Sequence, residues 1–321
     1  MNIKFFIGPM SKNIVDAIIS FQSETSINIG LIPSRRQIEF DGGYCNNWTT
    51  EQFYNHAKGL TLKRDHAGPG QGLNDDDGFE SLEHDCKYFD FIHIDPWKKY
   101  PEYKDGLRLT IEMIEFCYNL NSKIKFEVGT EESIKRFEPQ ELDLLVSDLK
   151  NALDPNVFKQ IKYLVIQSGT SLSSTSNTGV YDKKRLIEMI KIASKYNLRS
   201  KEHNGDYMPV ELIQEKMTLG LDSINIAPEF GLIETQTYLD NITDPKLLDL
   251  FWEICYNSGK WKKWVKNDFD PLKEKEQLIK ICGHYVLTND IFLKEIKNSF
   301  PHIDDTIKNN IINKLKQLNG Y

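Results

Sequence analysis

Eight short apolar runs, each closed by glycine, proline or a polar cluster, occupy the first 230 or so residues of this 321-residue chain. They are 3–7, 27–32, 60–65, 89–94, 124–128, 163–166, 198–202 and 224–226, and most are followed by apolar residues at helical spacing. Strands that alternate with helices pair in parallel, because each helix carries the chain back to the edge where the next strand starts. Eight such units in a span of about 250 residues predict a (β/α)8 TIM barrel. A doubly wound open sheet meets the same alternation. The barrel is favoured because Asp65, His66, Asp95, Glu127, Gln167, His203 and Asn225 all fall at or near strand C-termini, where barrel enzymes place their chemistry. From about Asp244 only helical patterns remain, which divides the chain into a barrel over 1–240 and a helical C-terminal extension over 241–321. In that extension, Trp261 to Trp264 reads as packing plus a solvated face.

A formal charge of -7 leaves no basic footprint for nucleic acid. The five cysteines are odd in number and widely spaced, without a Cys-x-x-Cys pair, so they form neither a disulfide framework nor a structural zinc cluster. The N-terminal apolar run is too short for a signal peptide and no segment approaches the ~20 apolar residues of a membrane span. A cytoplasmic protein without membrane contact is expected.

The stretch from Leu60 to Gly72 alternates apolar and polar residues, then breaks into three glycines and a proline within five positions. It reads as a strand that delivers Asp65 and His66 to its C-terminal edge. His203, at the end of the seventh strand, meets His66 only if the sheet closes, and two imidazoles with a carboxylate then make a site suited to zinc or another divalent first-row ion. Glu127 is the carboxylate to add, unless a neighbouring lysine satisfies it inside the barrel; Gln167, Asp95 and Glu131 are further candidates. His56 and His84 fall in helix or loop contexts, His284 and His302 in the extension, and His93 on a strand two residues before Asp95. Gly169, Thr170 and Ser171 after strand six, Gly205 and Asp206 after strand seven and Asn225 on strand eight offer backbone N–H groups and short polar side chains to a phosphorylated substrate. Arg35 and Arg36, just past strand two, either hold a phosphate or are solvated.

These strand-end residues resemble the class II, metal-dependent ketose-bisphosphate aldolases, and more closely the Z-type subunit of D-tagatose-1,6-bisphosphate aldolase. The resemblance runs from about Ser11 to Leu239. Its carriers are Phe40-Asp-Gly-Gly-Tyr44, Asp65-His-Ala-Gly-Pro69, Ile92-His-Ile-Asp95, Gly129-Thr-Glu131, Val165-Ile-Gln-Ser-Gly169, Glu202-His-Asn-Gly-Asp-Tyr207 and Ile224-Asn-Ile-Ala-Pro228. It implies a TIM barrel, zinc held by His66 and His203, and Asp65 acting on a substrate hydroxyl. The third family ligand is a histidine that follows a Gly-Thr-Ser sequence after strand six, and here Leu172 follows Gly169-Thr170-Ser171. Glu127 or Gln167 is the expected replacement. The resemblance therefore implies an aldolase acting on a phosphorylated sugar. It equally implies a non-catalytic Z-type subunit that supports an aldolase partner, since such subunits also lack that histidine. Another metal-dependent sugar lyase or isomerase on the same barrel, or assembly with a second copy of the chain, is the remaining expectation.

Overall fold

The computed structural model describes residues 3–320. Eight strands, β1 (Phe5–Ile7), β2 (Gly30–Leu31), β3 (Thr61–Ala67), β4 (Phe91–Ile94), β5 (Lys125–Val128), β6 (Ile161–Ile166), β7 (Arg199–Glu202) and β8 (Ser223–Ile226), close into one barrel. Every neighbouring pair is parallel. The ring is sealed where Phe5 to Ile7 pair with Ile224 to Ile226, so the fold is the (β/α)8 barrel and not an open sheet. The second strand is shorter than its apolar run, with only Gly30 and Leu31 in the ladder. The polar loop after β6 contains a small antiparallel hairpin, in which Leu172 pairs with Asn177 and Ser173 with Ser176.

Local sequence starts the outer helices. Ser11 accepts the N–H of Ile14 to begin the helix Lys12–Thr25, and Thr49 with Gln52 forms a capping box for Thr50–His56. The outer faces of β3 to β6 and the helices around them enclose a core that includes Ile92, Phe126, Leu145 and Met189.

Among the described residues no strand follows Ile226, and no helix is long and apolar enough to cross a membrane. The helix Pro228–Asn241 follows β8, and Pro245–Ser258, Lys275–Cys282 and Ile303–Asn319 make up most of what remains. The last of these buries Ile307, Ile311 and Leu315 in a core that also holds Phe5, Ile7, Ile14 and Phe230. Asn13 ties the same elements together, donating to Glu234 Oε1 at 3.0 Å and to Asp304 Oδ1 at 2.8 Å.

The extension also reaches the mouth of the barrel. Gln277 donates to the hydroxyls of Ser174 and Thr175, at 2.9 and 3.2 Å, in the connection after β6. Tyr285 stacks edge-on against Tyr44, 4.9 Å between ring centres, in the connection after β2. β2 and β6 stand opposite one another in the ring, so residues 277–285 link two sides of the mouth.

Candidate metal centre at the barrel mouth

In a regular strand Asp65 and His66 would point to opposite faces. Here the pairing of β3 with β4 slips between Arg64 and Ala67, and His66 adopts φ +45° in the left-handed region. That backbone costs a non-glycine residue roughly 1–3 kcal/mol and is characteristic of functional sites. The irregularity turns both side chains toward the mouth, where each stays 15% exposed.

His66, His93 and His203 form a triangle of rings whose centres lie 4.8 to 5.0 Å apart. Two of the three are backed by carboxylates. His66 Nδ1 meets Asp95 Oδ2 at 2.5 Å, and His203 Nε2 meets Glu127 Oε1 at 2.8 Å. A carboxylate can only accept, so each places the ring proton on the nitrogen it faces. His66 Nε2 and His203 Nδ1 are left as lone-pair atoms aimed at each other across 3.3 Å. Two such atoms repel unless a cation or proton lies between them. A tetrahedral zinc with ordinary Zn–N bonds separates its ligands by about 3.4 Å, and carboxylate-backed imidazoles are the usual ligands of such an ion. The residues present therefore fit a divalent metal. His93 Nε2 bonds the carbonyl of Gly129 at 2.9 Å, and its Nδ1 faces the His66 N–H at 3.3 Å. One ligand atom from each of Asp65, His66, His93 and His203 lies within 4.8 Å of all the others.

Charge in the site follows from this packing. Burial works against ionisation of Asp65, but the three imidazoles outweigh it and lower its pKa. Burial likewise pulls His66 down, yet the charge of Asp65 and the hydrogen bond His66 donates to Asp95 raise it to about 10, so that without an ion it is a proton on His66 Nε2 that lies between the two facing nitrogens. His93, whose burial is not offset, falls to about 3 and is neutral.

Glu127 lies behind His203 rather than among the facing atoms. Its Oε1 is taken by His203, and its Oε2 contacts Lys63 and lies 3.5 Å from Lys201. Burial opposes its charge, and Lys201 and Lys63 drive its pKa well below the ordinary value. The lysine partner that the sequence allowed is therefore present twice over, and it comes from the strand parity that also brings the ligands. Lys63 and Asp65, His93 and Asp95, and Lys201 and His203 are each two residues apart, so each pair faces one side of its strand.

Gln167 is not in the cluster. Its amide donates to the carbonyls of Thr130 and Lys135 and accepts the N–H of Phe137, pinning the connection after β5. Leu172 sits in the hairpin after β6, and the ring that packs beside His66 and His203 is that of His93 from β4. The position of His93 two residues before Asp95 marks it as inward-facing. Asp95 and Glu131 are at the site: Asp95 backs His66, and Glu131 Oε2 lies 3.9 Å from His66 Nε2 and accepts from Asn204 at 2.7 Å.

The other expected substrate contacts are divided. Asn225 Nδ2 reaches Asp65 Oδ1 at 3.3 Å, while its buried Oδ1 has no partner. Gly169, Thr170 and Ser171 line a neighbouring cavity of about 450 Å³ with Arg136 and Asp182. The Thr170 hydroxyl donates to the His203 carbonyl at 3.0 Å, and the Gly169 N–H is taken by Glu132 at 3.1 Å. Gly205 donates to the Asn225 carbonyl at 2.8 Å, and Asp206 accepts the N–H groups of Ala227 and Glu229, both at 2.8 Å. Both bind the chain to itself.

No family model matches the chain, and no curated protein matches it. Solved structures do. A probable tagatose 6 phosphate kinase from Sinorhizobium meliloti aligns over 99% of both chains with a TM-score of 0.74 and 15% identity. The fructuronate-tagaturonate epimerase of Cohnella laeviribosi aligns over 99% of this chain and 81% of its own, with a TM-score of 0.67 and 12% identity. The fructose-bisphosphate aldolase of Campylobacter jejuni aligns over 99% and 90%, with a TM-score of 0.59 and 11% identity. At these identities it is the fold that is shared: the chain is a closed (β/α)8 barrel of the architecture found in that aldolase and that epimerase.

Proposed function

We propose that the chain is a metal-dependent aldolase of the class II kind, which cleaves or forms a carbon–carbon bond in a phosphorylated ketose. The observation that carries this reading is the pair of carboxylate-backed imidazoles whose free nitrogens face each other across 3.3 Å beside Asp65. His66 and His203 would hold zinc or another divalent first-row ion, with His93 as the third imidazole. Bound there, such an ion supplies Lewis-acid polarisation of a carbonyl oxygen. Asp65 is ionised and partly exposed, and it takes the proton from the hydroxyl on the carbon whose bond breaks. Asn225 orients Asp65 through Nδ2 and offers its unpartnered Oδ1 to a substrate hydroxyl. Glu131 is a second carboxylate on the rim, its Oε2 3.9 Å from His66 Nε2. The shared fold with an aldolase is consistent with this chemistry.

A second reading, a non-catalytic subunit that supports an aldolase partner, is favoured by Leu172 standing where the resemblance expects an imidazole. Turnover of a panel of ketose phosphates by the wild type and by Asp65→Asn separates the two. The variant keeps the shape and removes the proton acceptor, so turnover should fall by ~10²-fold to 10⁴-fold with metal content and melting temperature retained. Full turnover by the Asp65→Asn variant would refute the mechanism. A wild type that holds metal, turns over no ketose phosphate and only stimulates an added aldolase would assign the supporting role.

A further inference from the structure

Barrels of this kind commonly take a substrate phosphate at the loops after the seventh and eighth strands. Here the N-terminus of the helix after β8 is occupied by the chain's own Asp206, whose Oδ1 accepts from Ala227 and Glu229. Its side chain is buried, and that burial pushes its pKa up to about 8, so an anion at those N–H groups would have to displace this carboxyl. A phosphorylated substrate therefore needs another cationic partner.

One other part of the mouth is strongly basic. Arg36 comes from the connection after β2, Lys98 from the connection after β4 and Lys263 from the C-terminal extension. The first two grip the loop that leaves His66: Arg36 Nε donates to the Gly72 carbonyl at 3.3 Å, and Lys98 Nζ to the Gly70 carbonyl at 2.8 Å. Lys263 Nζ lies over the rings of Trp264 and Tyr285, at 4.6 and 5.4 Å. Tyr285 packs on Tyr44, whose N–H is bonded to the Arg36 carbonyl at 3.1 Å. Among the described residues none of the three has a carboxylate within ion-pair distance. Both lysines are exposed, yet their like charges are felt: partial desolvation and then Arg36 lower Lys98, and partial desolvation, Arg36, Lys260 and Lys98 lower Lys263 to about 8. Lys98 is also within the field of Asp95 and Glu131 at the candidate metal centre.

We propose that Arg36, Lys98 and Lys263 form an oxyanion subsite that receives the phosphate of the substrate, and that the C-terminal extension supplies Lys263 to it from above the mouth. The proposal rests on the aldolase reading for the identity of the substrate. Three cations from three segments match the dianion of a phosphate monoester, whereas a sugar carboxylate carries a single charge and needs fewer partners.

The test is calorimetric titration of the full chain with inorganic phosphate at constant ionic strength, alongside gluconate as the carboxylate probe, with zinc content measured on the same samples. The wild type should bind phosphate saturably at one site and more tightly than gluconate. Lys98→Ala and Lys263→Ala should each weaken phosphate by about tenfold or more, the loss expected for one charge-assisted hydrogen bond. Lys263→Met, which keeps the apolar stem over the rings, should weaken it as much as the alanine. Absence of saturable phosphate binding, equal binding by folded variants, or preference for gluconate would overturn the subsite. Phosphate binding in a chain that takes up no zinc would support the subsite and remove the aldolase reading. Zinc uptake without phosphate binding would remove the subsite alone.

Discussion

His93 on β4 and Asp95 just past its end are separated by one residue, and the site depends on both facing inward. Asp95 is buried and accepts from the Thr130 hydroxyl at 3.0 Å as well as meeting His66. Burial opposes its charge, and the hydrogen bond and charge of His66 lower its pKa all the same. Asp95→Asn removes that charge while keeping the shape, and should weaken zinc binding ~10-fold to 100-fold in competition with a chelator, the usual cost of losing a carboxylate behind a ligating imidazole. Unchanged affinity would mean that Asp95 only braces the loop. Asp65, His66 and His203 were legible from the sequence because each ends a strand in a motif with glycine close behind. His93 was not, because a histidine inside an apolar strand looks like core. Reading strand parity, with Asp95 fixing which face is inward, would have found it. Gln167 looked like a candidate for the opposite reason: it ends a strand, but its amide is spent on the carbonyls of Thr130 and Lys135, a tertiary fact with no local signature.

Helices were legible where caps and apolar spacing agreed, as at Ser11 for the first helix and Thr49 for the second. The hairpin at Leu172–Asn177 was not, since two paired residues per strand leave no periodicity to read. The contact between the first helix, the helix after β8 and the last helix was also hidden, because it joins the first helix to residues more than 200 positions away. Glu234 is buried at that junction, hydrogen-bonded by Ser11 and Asn13. Burial outweighs those donors and raises its pKa from 4.5 to about 7. Between these values the folded chain keeps the proton and the unfolded chain has released it, so this group lowers stability as pH rises from about 4.5 to about 7, and its effect levels off above. Glu234→Gln has no such proton to lose. Melting curves should show the variant gaining on the wild type between pH 5 and pH 8, and a gap independent of pH would contradict the burial of an uncharged carboxyl there.

Over the whole molecule, one core runs from the barrel strands into the last helix, so the C-terminal extension should not melt apart from the barrel. Ile311 is fully buried in that helix, and Ile311→Ala should cost ~2–5 kcal/mol and shift a single unfolding transition; a separate early transition would show that the extension unfolds independently. Inside the barrel, Lys63, Glu127 and Lys201 form a layer of ionisable groups beneath the mouth, all fully buried, and burial pushes Lys201 well below the ordinary lysine range. Glu127 thus joins that layer to His203, while the strained turn at His66 joins β3 to the same point, and the closed ring is what brings strands three, four and seven together. The most direct test of that convergence is zinc titration of the chelator-stripped full chain, compared with His66→Ala and His203→Ala. The facing imidazoles predict one tightly held ion per wild-type chain and sharply reduced uptake in each variant. A wild type that takes up no ion, or variants that hold it as well as the wild type, would contradict the metal centre.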